Sequence, residues 1–574
     1  MKNLEVAFMK NLEVAQTLNE IADLLEIKGV QFKPIAYRRA AETVNSLSKP
    51  IENLSMNELI ELPGIGKSIA KKILQIDKTG LLPYFEDLKK DCPIDYESLL
   101  AVEGIGPKTV KLLYQSLNVK DLDDLEHMAR EHEIRKLPGM KEKSEEKILE
   151  NIKYAKKTIR NLLGYILPIA LELKNNLMVL DEVLEVEIAG SIRRRKETIG
   201  DIDILVITDN PLEVMDSFTS LGNVDRIILK GSSKSTVRLK ENVNCDLRVV
   251  PEKSFGSALM YFTGSKETNV ELRKLSIKNG LKLNEYGLFR GEEWISGVTE
   301  DELFRELGLD YIEPELRENH GEIEAALRNE LPSLIGYNEI KGDLQMHSKW
   351  SDGSNTLEEM VSEASIMGYE YIAITDHSGG LHIARGMDDK HINLQSKKIE
   401  KLNDDFEDLT IFKGLEVNID SDGMLDVDDG ILKDLDIVVA SIHSGFRQDR
   451  GKLTDRIISA MENEYVNIIA HPTGRKIHQR KAYELDLDKV FDYSIETDTY
   501  LEVNSQPDRL DLKDVYVKKA LEAGCKLVIN TDSHNRDSLS NIEFGIATAR
   551  RGWAEKGAII NTKPLSELKK ILKI

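Results

Sequence analysis

Residues 9 to about 155 read as helices separated by Gly and Pro, without strong alternating runs. From about 156 to 320, helices mix with short apolar or alternating runs that predict strands: "VEIAG", "DIDILVI", "DRIILK" and "CDLRVV". Near 322 to 338 a helix-like stretch gives way to the connector "LPSLIGYNEI". From about 340 onward, "YIAITDH", "IFKGLEVNI", "IVVASIH", "VNIIAHP", "YLEVNS" and "KLVINTDSH" alternate with helices. That βα rhythm predicts a barrel with its functional residues at the strand C-termini.

The run "GDIDILVI" sets Asp201 and Asp203 into an otherwise buried strand. Residues two apart on a strand project to the same face, so the two carboxylates stand side by side. Like charges that close repel, and each resists losing its water, unless a cation lies between them. Paired carboxylates at a strand end suit a Mg²⁺ pair bound to phosphates; a solvated strand end is the simpler alternative.

"LPGIGKSIAKKI" (62–73) and "VEGIGPKTVKLL" (102–113) share one extended pattern, and "LPGMKEKSEEKI" (137–148) is a degenerate third copy. A G-I-G turn opening a helix lets backbone N–H groups approach a phosphate. Gly64, Gly66, Gly104 and Gly106 are therefore candidate contacts to a DNA backbone.

Eight of the 11 histidines follow residue 346: His347, His377, His382, His391, His443, His471, His478 and His534. Most sit directly after β runs beside carboxylates, in "GDLQMHSKWSDG", "AITDH", "ASIHSG", "AHP" and "NTDSH", with "GLEVN" contributing Glu416. Repetition at strand ends argues for a multinuclear metal site. His382, His391 and His478 lie outside these motifs and default to the surface, with a place lining the cleft as the alternative for His382 and His478.

Composition changes the picture only a little. At 574 residues the chain needs several domains. A net charge of −22 taken alone disfavours nucleic acid, although acid-rich metal sites and local basic patches can coexist with it. There is no run of about 18 apolar residues and no signal-peptide core, so no membrane association is expected. Cys92, Cys245 and Cys525 are far apart, which argues against a disulfide framework and fits a cytoplasmic location. "MKNLEVA" occurs at 1–7 and again at 9–15, and reads as a start-site duplication.

"AGSIRRRKETIGDIDILVI", "NCDLRVV", "YFTGSKETNVELR" and "LNEYGLF", in this order, closely resemble the family X DNA polymerases of the polymerase beta type. The resemblance covers residues 9 to about 320. It implies that Gly190, Ser191 and Arg194 hold the incoming triphosphate. It implies that Asp201, Asp203 and Asp246 are the catalytic, metal-binding carboxylates, with Mg²⁺ as cofactor. Tyr261, Phe262 and Gly264 would line the sugar, Asn269 the minor-groove side of the incoming base, and Arg273 the template strand. Glu285 and Tyr286 would act by position. Lys72 matches the Schiff-base lysine of abasic-site lyase activity; the neighbouring cation Lys71 would help depress its pKa, and a phosphate-binding lysine is the alternative.

The strand-end motifs after 340 resemble the PHP (polymerase and histidinol phosphatase) phosphoesterases, a distorted (β/α)₇ barrel with up to three ions, Mn²⁺ or Zn²⁺. The resemblance implies His347, Glu416 and Asp532 on one metal, Glu416, His443 and His471 on a second, and Asp352, His377 and His534 on a third. The family's opening H-x-H is here Gln345-x-His347, and a glutamine oxygen is a weaker ligand than imidazole.

The expected fold is thus multidomain. Residues 1–88 form a helical DNA-binding, lyase-like domain with the first helix-hairpin-helix, residues 1–8 being the duplicated start. Residues 89–155 form a second helix-hairpin-helix subdomain, and 156–255 an α+β nucleotidyltransferase palm. Residues 256–320 form a nascent-base-pair subdomain, 321–339 a linker and 340–574 an α/β PHP barrel. A polymerase joined to such a barrel resembles the bacterial and archaeal PolX family. The expected function is filling of short gaps in base-excision-type repair, with a 3′–5′ exonuclease and abasic-site processing. The expected partners are gapped or primer-template DNA and dNTPs, and the expected state is a monomer. Two rivals are a PHP nuclease on a DNA-binding scaffold and a nucleotidyltransferase acting on RNA or small molecules.

Overall fold

The computed structural model describes residues 104–155, 160–381 and 384–574, together with most positions between 14 and 102. The chain divides into two compact units, Met1–Ile159 and Arg160–Ile574. The first copy of the terminal repeat and nearly all of the second lie outside the described residues, as do Cys92 and His382. Cys245 and Cys525 are buried free thiols. Among the described residues, no helix is long and apolar enough to cross a membrane.

The first unit is helical, as its pattern predicts. Its described helices include Met56–Glu61, Lys67–Thr79, Pro107–Leu117, Leu122–Arg130 and Glu142–Ala155. Ser55 starts the first of these with a capping box, its hydroxyl facing the Glu58 amide and the Glu58 carboxylate returning to the Ser55 backbone. The three glycine-containing turns close in the same way. The amide of Ile65 donates to Leu62, that of Ile105 to Val102, and that of Met140 to Leu137. Gly64, Gly104 and Gly139 all hold φ near +80 to +90°, which a Cβ would disfavour.

In the second unit a five-stranded sheet runs in the order Val183–Ile188, Asp201–Thr208, Asn244–Val249, Lys234–Leu239, Val224–Lys230. Asp201–Thr208 and Asn244–Val249 are parallel neighbours, and the other pairs are antiparallel. Helix Leu163–Met178 and helix Pro211–Thr219 bury apolar faces in this module's core with Ile202, Ile204 and Val206. A small three-stranded antiparallel sheet, Lys282–Asn284, Gly287–Arg290 and Glu293–Ser296, follows, packed by Leu272, Leu288, Leu303 and Phe304.

The C-terminal part holds seven parallel strands in chain order, from Gly342–Met346 to Leu527–Asn530. Most are wholly buried, the continuous apolar pattern expected of a sheet covered on both faces. The first and last strands meet through a parallel bridge between Met346 and Ser533, and the His347 amide donates to the Ser533 carbonyl at 2.7 Å. This near-closed barrel is the predicted (β/α)₇ architecture. Leu510 and Phe544 of the barrel side are buried in the same cluster as the five-stranded module's apolar residues, so the two pack as one body.

Candidate active sites

The parallel pairing of Asp201–Thr208 with Asn244–Val249 sets Asp203 directly opposite Asp246. Asp201 lies two residues back on the same face. Partial burial, then the charges of Asp201 and Asp246, push the Asp203 carboxyl up to about 7. Asp246 also accepts from Thr236 Oγ1 at 2.6 Å and pairs with Lys234 Nζ at 2.6 Å. Burial and neighbouring carboxylate charge raise the proton affinity of Asp201 and Asp203, and carboxylates gathered in this way fit a divalent cation.

Beside them is a cavity of about 420 Å³ lined by Gly190, Ser191, Arg194, Asp201, Asp203, Tyr261, Phe262, Gly264, Asn269 and Arg273. All the residues assigned to nucleotide by resemblance thus face one space with two of the aspartates. Ser191 and Gly190 open the short helix Gly190–Arg193, and the buried Ser191 Oγ has no hydrogen-bond partner among the described residues. A Cβ on Gly190 would collide with Asp203. Asn269 Nδ2 donates to the Tyr261 carbonyl at 2.7 Å, and Arg273 Nε to the Asn269 carbonyl at 3.2 Å. Tyr261 and Phe262 are half-buried with edge-to-face rings 5.1 Å apart, and the Arg248 guanidinium stands 4.4 Å over Phe262. Tyr286 and Glu285 contribute carbonyls, to Ser254 Oγ at 3.0 Å and Ser257 Oγ at 3.2 Å. Arg160, Thr263 and Lys266 also line the cavity, and sequence reasoning missed them together with Lys234. Arg160 comes from outside any motif, whereas Thr263 and Lys266 sit inside the quoted "YFTGSKETNVELR" and were legible there.

In the helical unit, a Cβ at Gly66, Gly104 or Gly106 would meet nothing within 4 Å among the described residues. Packing among the described residues does not require glycine at Gly66 or Gly106. Lys72 is half-buried, with Nζ donating to Tyr37 Oη at 2.7 Å and standing 4.0 Å over the Tyr84 ring. Lys67 and Lys71 are exposed.

At the barrel's C-terminal end, buried His347 reaches Asp532 at 3.1 Å and Glu416 at 3.3 Å. Glu416 is also 3.2 Å from His377, 3.5 Å from His443 and 3.4 Å from His471. Asp352 lies 3.3 Å from His534 and 3.7 Å from His377. Three groups converge closely enough to share a metal ion: His347, Glu416 and Asp532; His377, Glu416 and His443; and His347, Asp352, His377 and His534. The first is the expected set, the second takes His377 where His471 was expected, and the third adds His347. Both oxygens of Glu416, both ring nitrogens of His347 and both amide atoms of Gln345 are buried with no hydrogen-bond partner among the described residues. Such an accumulation of orphaned donors and acceptors fits cations. Burial disfavours the Glu416 carboxylate, but the surrounding histidines outweigh it and hold its pKa well below the usual range. Burial pushes the His443 imidazole down to about 3, keeping it neutral as a ligand must be.

Second partners orient these groups. His443 Nδ1 meets Asn418 Oδ1 at 2.6 Å, His534 Nδ1 meets the Asp532 carbonyl at 2.8 Å, and Asn504 Nδ2 donates to Asp532 at 3.0 Å. Asp532 and His471 hold φ of 51° and 29°, strain of the kind that clusters at functional sites. Arg509, which sequence reasoning missed, approaches Asp532 at 3.7 Å. His391 and His478 are exposed, as expected.

Family models match at residues 9–82 (helix-hairpin-helix domain), 96–153 (SAM-like helix-hairpin-helix tandem), 258–318 (DNA polymerase beta thumb) and 343–506 (PHP domain). Together with the geometry they define a class, a DNA polymerase carrying a phosphoesterase barrel. The chain is 38% identical over 571 residues to the DNA polymerase/3′-5′ exonuclease PolX of Bacillus subtilis (strain 168), a match spanning 98% of this chain and 100% of that one. It belongs to that family, the family X DNA polymerases with a PHP domain. It is also 24% identical to rat DNA polymerase lambda over 346 residues, 54% of this chain and 56% of that protein. A protein named as a probable phosphatase in Thermoanaerobacter sp. (strain X514) is 30% identical over 233 residues, 38% of this chain and 88% of that one. Asp532 and His534 lie beyond the matched PHP segment yet join its histidines in space.

Proposed function

We propose that this chain fills short gaps in DNA with the Asp201, Asp203 and Asp246 site and trims 3′ ends with the barrel cluster. It is a DNA-directed DNA polymerase with a 3′–5′ exonuclease, and both of its domains work with divalent cations. The observation that carries the reading is the register of Asp203 opposite Asp246, beside a cavity with an unpartnered serine hydroxyl and three arginines.

The three aspartates would hold Mg²⁺, and the barrel's histidines and carboxylates up to three Mn²⁺ or Zn²⁺ ions. Bound cations supply Lewis acidity toward the primer 3′-hydroxyl and the triphosphate at one site and toward a phosphodiester at the other. Ser191, Arg194 and Arg160 hold the triphosphate with hydroxyl and guanidinium donors. Tyr261 and Phe262 crowd the sugar, and Asn269 and Arg273 read the base pair from one helix face. The G-I-G turns hold the DNA backbone. Lys72, poised between two tyrosines, is the nucleophile for an abasic sugar; borohydride trapping on abasic-site DNA should yield a covalent adduct that Lys72→Ala loses.

The test is a 5′-phosphorylated one-nucleotide gap with Mg²⁺ or Mn²⁺. Extension with dNTPs and 3′ shortening without them support both sites. Shortening alone would mean that the aspartate triad does not synthesise.

A further inference from the structure

The helix Ile542–Arg551 of the barrel side ends in two arginines, Arg550 and Arg551, each 8% exposed. Arg551 donates to Asp514 from Nη2 at 2.7 Å and from Nε at 2.9 Å. Its remaining nitrogen, Nη1, points away from the barrel. It donates to the carbonyl oxygen of Arg194 at 2.7 Å and to Glu318 Oε1 at 3.1 Å. That same Glu318 oxygen accepts from Arg194 Nε at 2.9 Å, and its other oxygen pairs with Lys196 at 3.3 Å. Arg194 Nη1 is spent on the Thr263 carbonyl. Among the described residues, Nη2 is the one Arg194 guanidinium nitrogen without a partner, and Arg194 lines the nucleotide cavity.

The guanidinium of Arg194 is thus held at two of its three nitrogens, and Arg551 holds its backbone carbonyl. Glu318 is the pivot, because one carboxylate oxygen serves both arginines. Burial opposes its charge, but Arg551, Lys196 and Arg194 pull its pKa down to about 2, so it stays an anion. Removing one partner of a buried, shared carboxylate leaves its charge less compensated and loosens the geometry it imposes on the others.

We propose that Arg551 is a positioning residue for nucleotide binding. Through Glu318 and the Arg194 carbonyl, a side chain of the barrel aims the arginine that holds the triphosphate. The phosphoesterase domain is then a structural part of the polymerase site, irrespective of its own metals. This rests on the reading of Arg194 as a triphosphate ligand.

Single-nucleotide gap filling by the full chain tests it, with KM for dNTP and kcat measured separately. Arg551→Lys keeps the charge but cannot reach Asp514, Glu318 and the carbonyl together. It should raise KM for dNTP about tenfold, with kcat changed far less. Glu318→Gln, close in shape, should do the same, and neither should alter exonuclease rate. Arg550→Lys is the control. Arg550 ends the same helix but binds Glu315 at 2.8 Å and the Ile335 carbonyl at 2.7 Å, so its variant should leave KM unmoved. Arg551→Lys added to Arg194→Ala should produce no further rise. If Arg194→Ala itself leaves KM unchanged, the reading of the nucleotide site is wrong. If Arg194→Ala raises KM but Arg551→Lys and Glu318→Gln do not, or Arg550→Lys raises it equally, the positioning role is refuted on its own.

Discussion

At the scale of single residues, Gln345 is the point where this chain departs from the pattern its barrel otherwise follows. It is fully buried at the end of the first barrel strand, with both amide atoms unpartnered among the described residues. An amide oxygen is a weaker ligand than imidazole for Zn²⁺. Gln345→His should therefore retain Zn²⁺ about tenfold more tightly through dialysis, measured by metal content and by the metal-dependent rise in Tm. Equal retention would mean that Gln345 takes no part in binding. Asp201 and Asp203 were legible in the sequence because a two-residue spacing on a strand fixes their common face. Lys234 and Arg160 were not, because each comes from a separate segment and only the sheet order and the fold bring it to the site.

Elements carry their own tests. The hairpin turn at Gly106 leads into a helix whose first residue is Pro107, with Gly106 at φ −105° and ψ 175°, a conformation open to alanine. Gly106→Ala should shift stability by no more than about 1 kcal/mol in thermal unfolding, yet weaken binding to gapped DNA several-fold. Unchanged binding would make the glycine a turn residue only. Between the five-stranded module and the small sheet, buried Glu300 accepts from Arg193 at 2.6 and 2.8 Å and from Arg317. Burial raises the proton affinity of Glu300, but Arg317 and Arg193 outweigh it and bring its pKa down to about 2. A depressed carboxylate stabilises the fold above its ordinary range, and that contribution is lost as pH falls toward 2. Glu300→Gln should cost about 3 kcal/mol near neutral pH. The gap in Tm from the unsubstituted chain should narrow as pH falls below about 4.5; a gap independent of pH would contradict the pairing. The hairpins were legible because their signal is local. The third copy closes the same turn but replaces the second glycine with Lys141, and it buries Glu145 against Arg135 at 2.6 Å. Those tertiary contacts left no mark in the repeat pattern.

Over the whole molecule, the order of parts could be read from motifs, and the (β/α) rhythm gave the barrel because parallel strands need helical crossovers. How barrel and palm meet could not be read, since Leu510, Phe544 and Arg551 carry no motif and act only through packing. The central claim is that two metal sites on one chain perform two separable reactions. The most direct measurement follows both reactions on one gapped DNA for Asp203→Asn and His443→Ala. Asp203→Asn should lose synthesis by about 10³-fold or more while keeping 3′ shortening, and His443→Ala should do the reverse. Loss of both activities in either variant, with Tm unchanged, would contradict the two-site account.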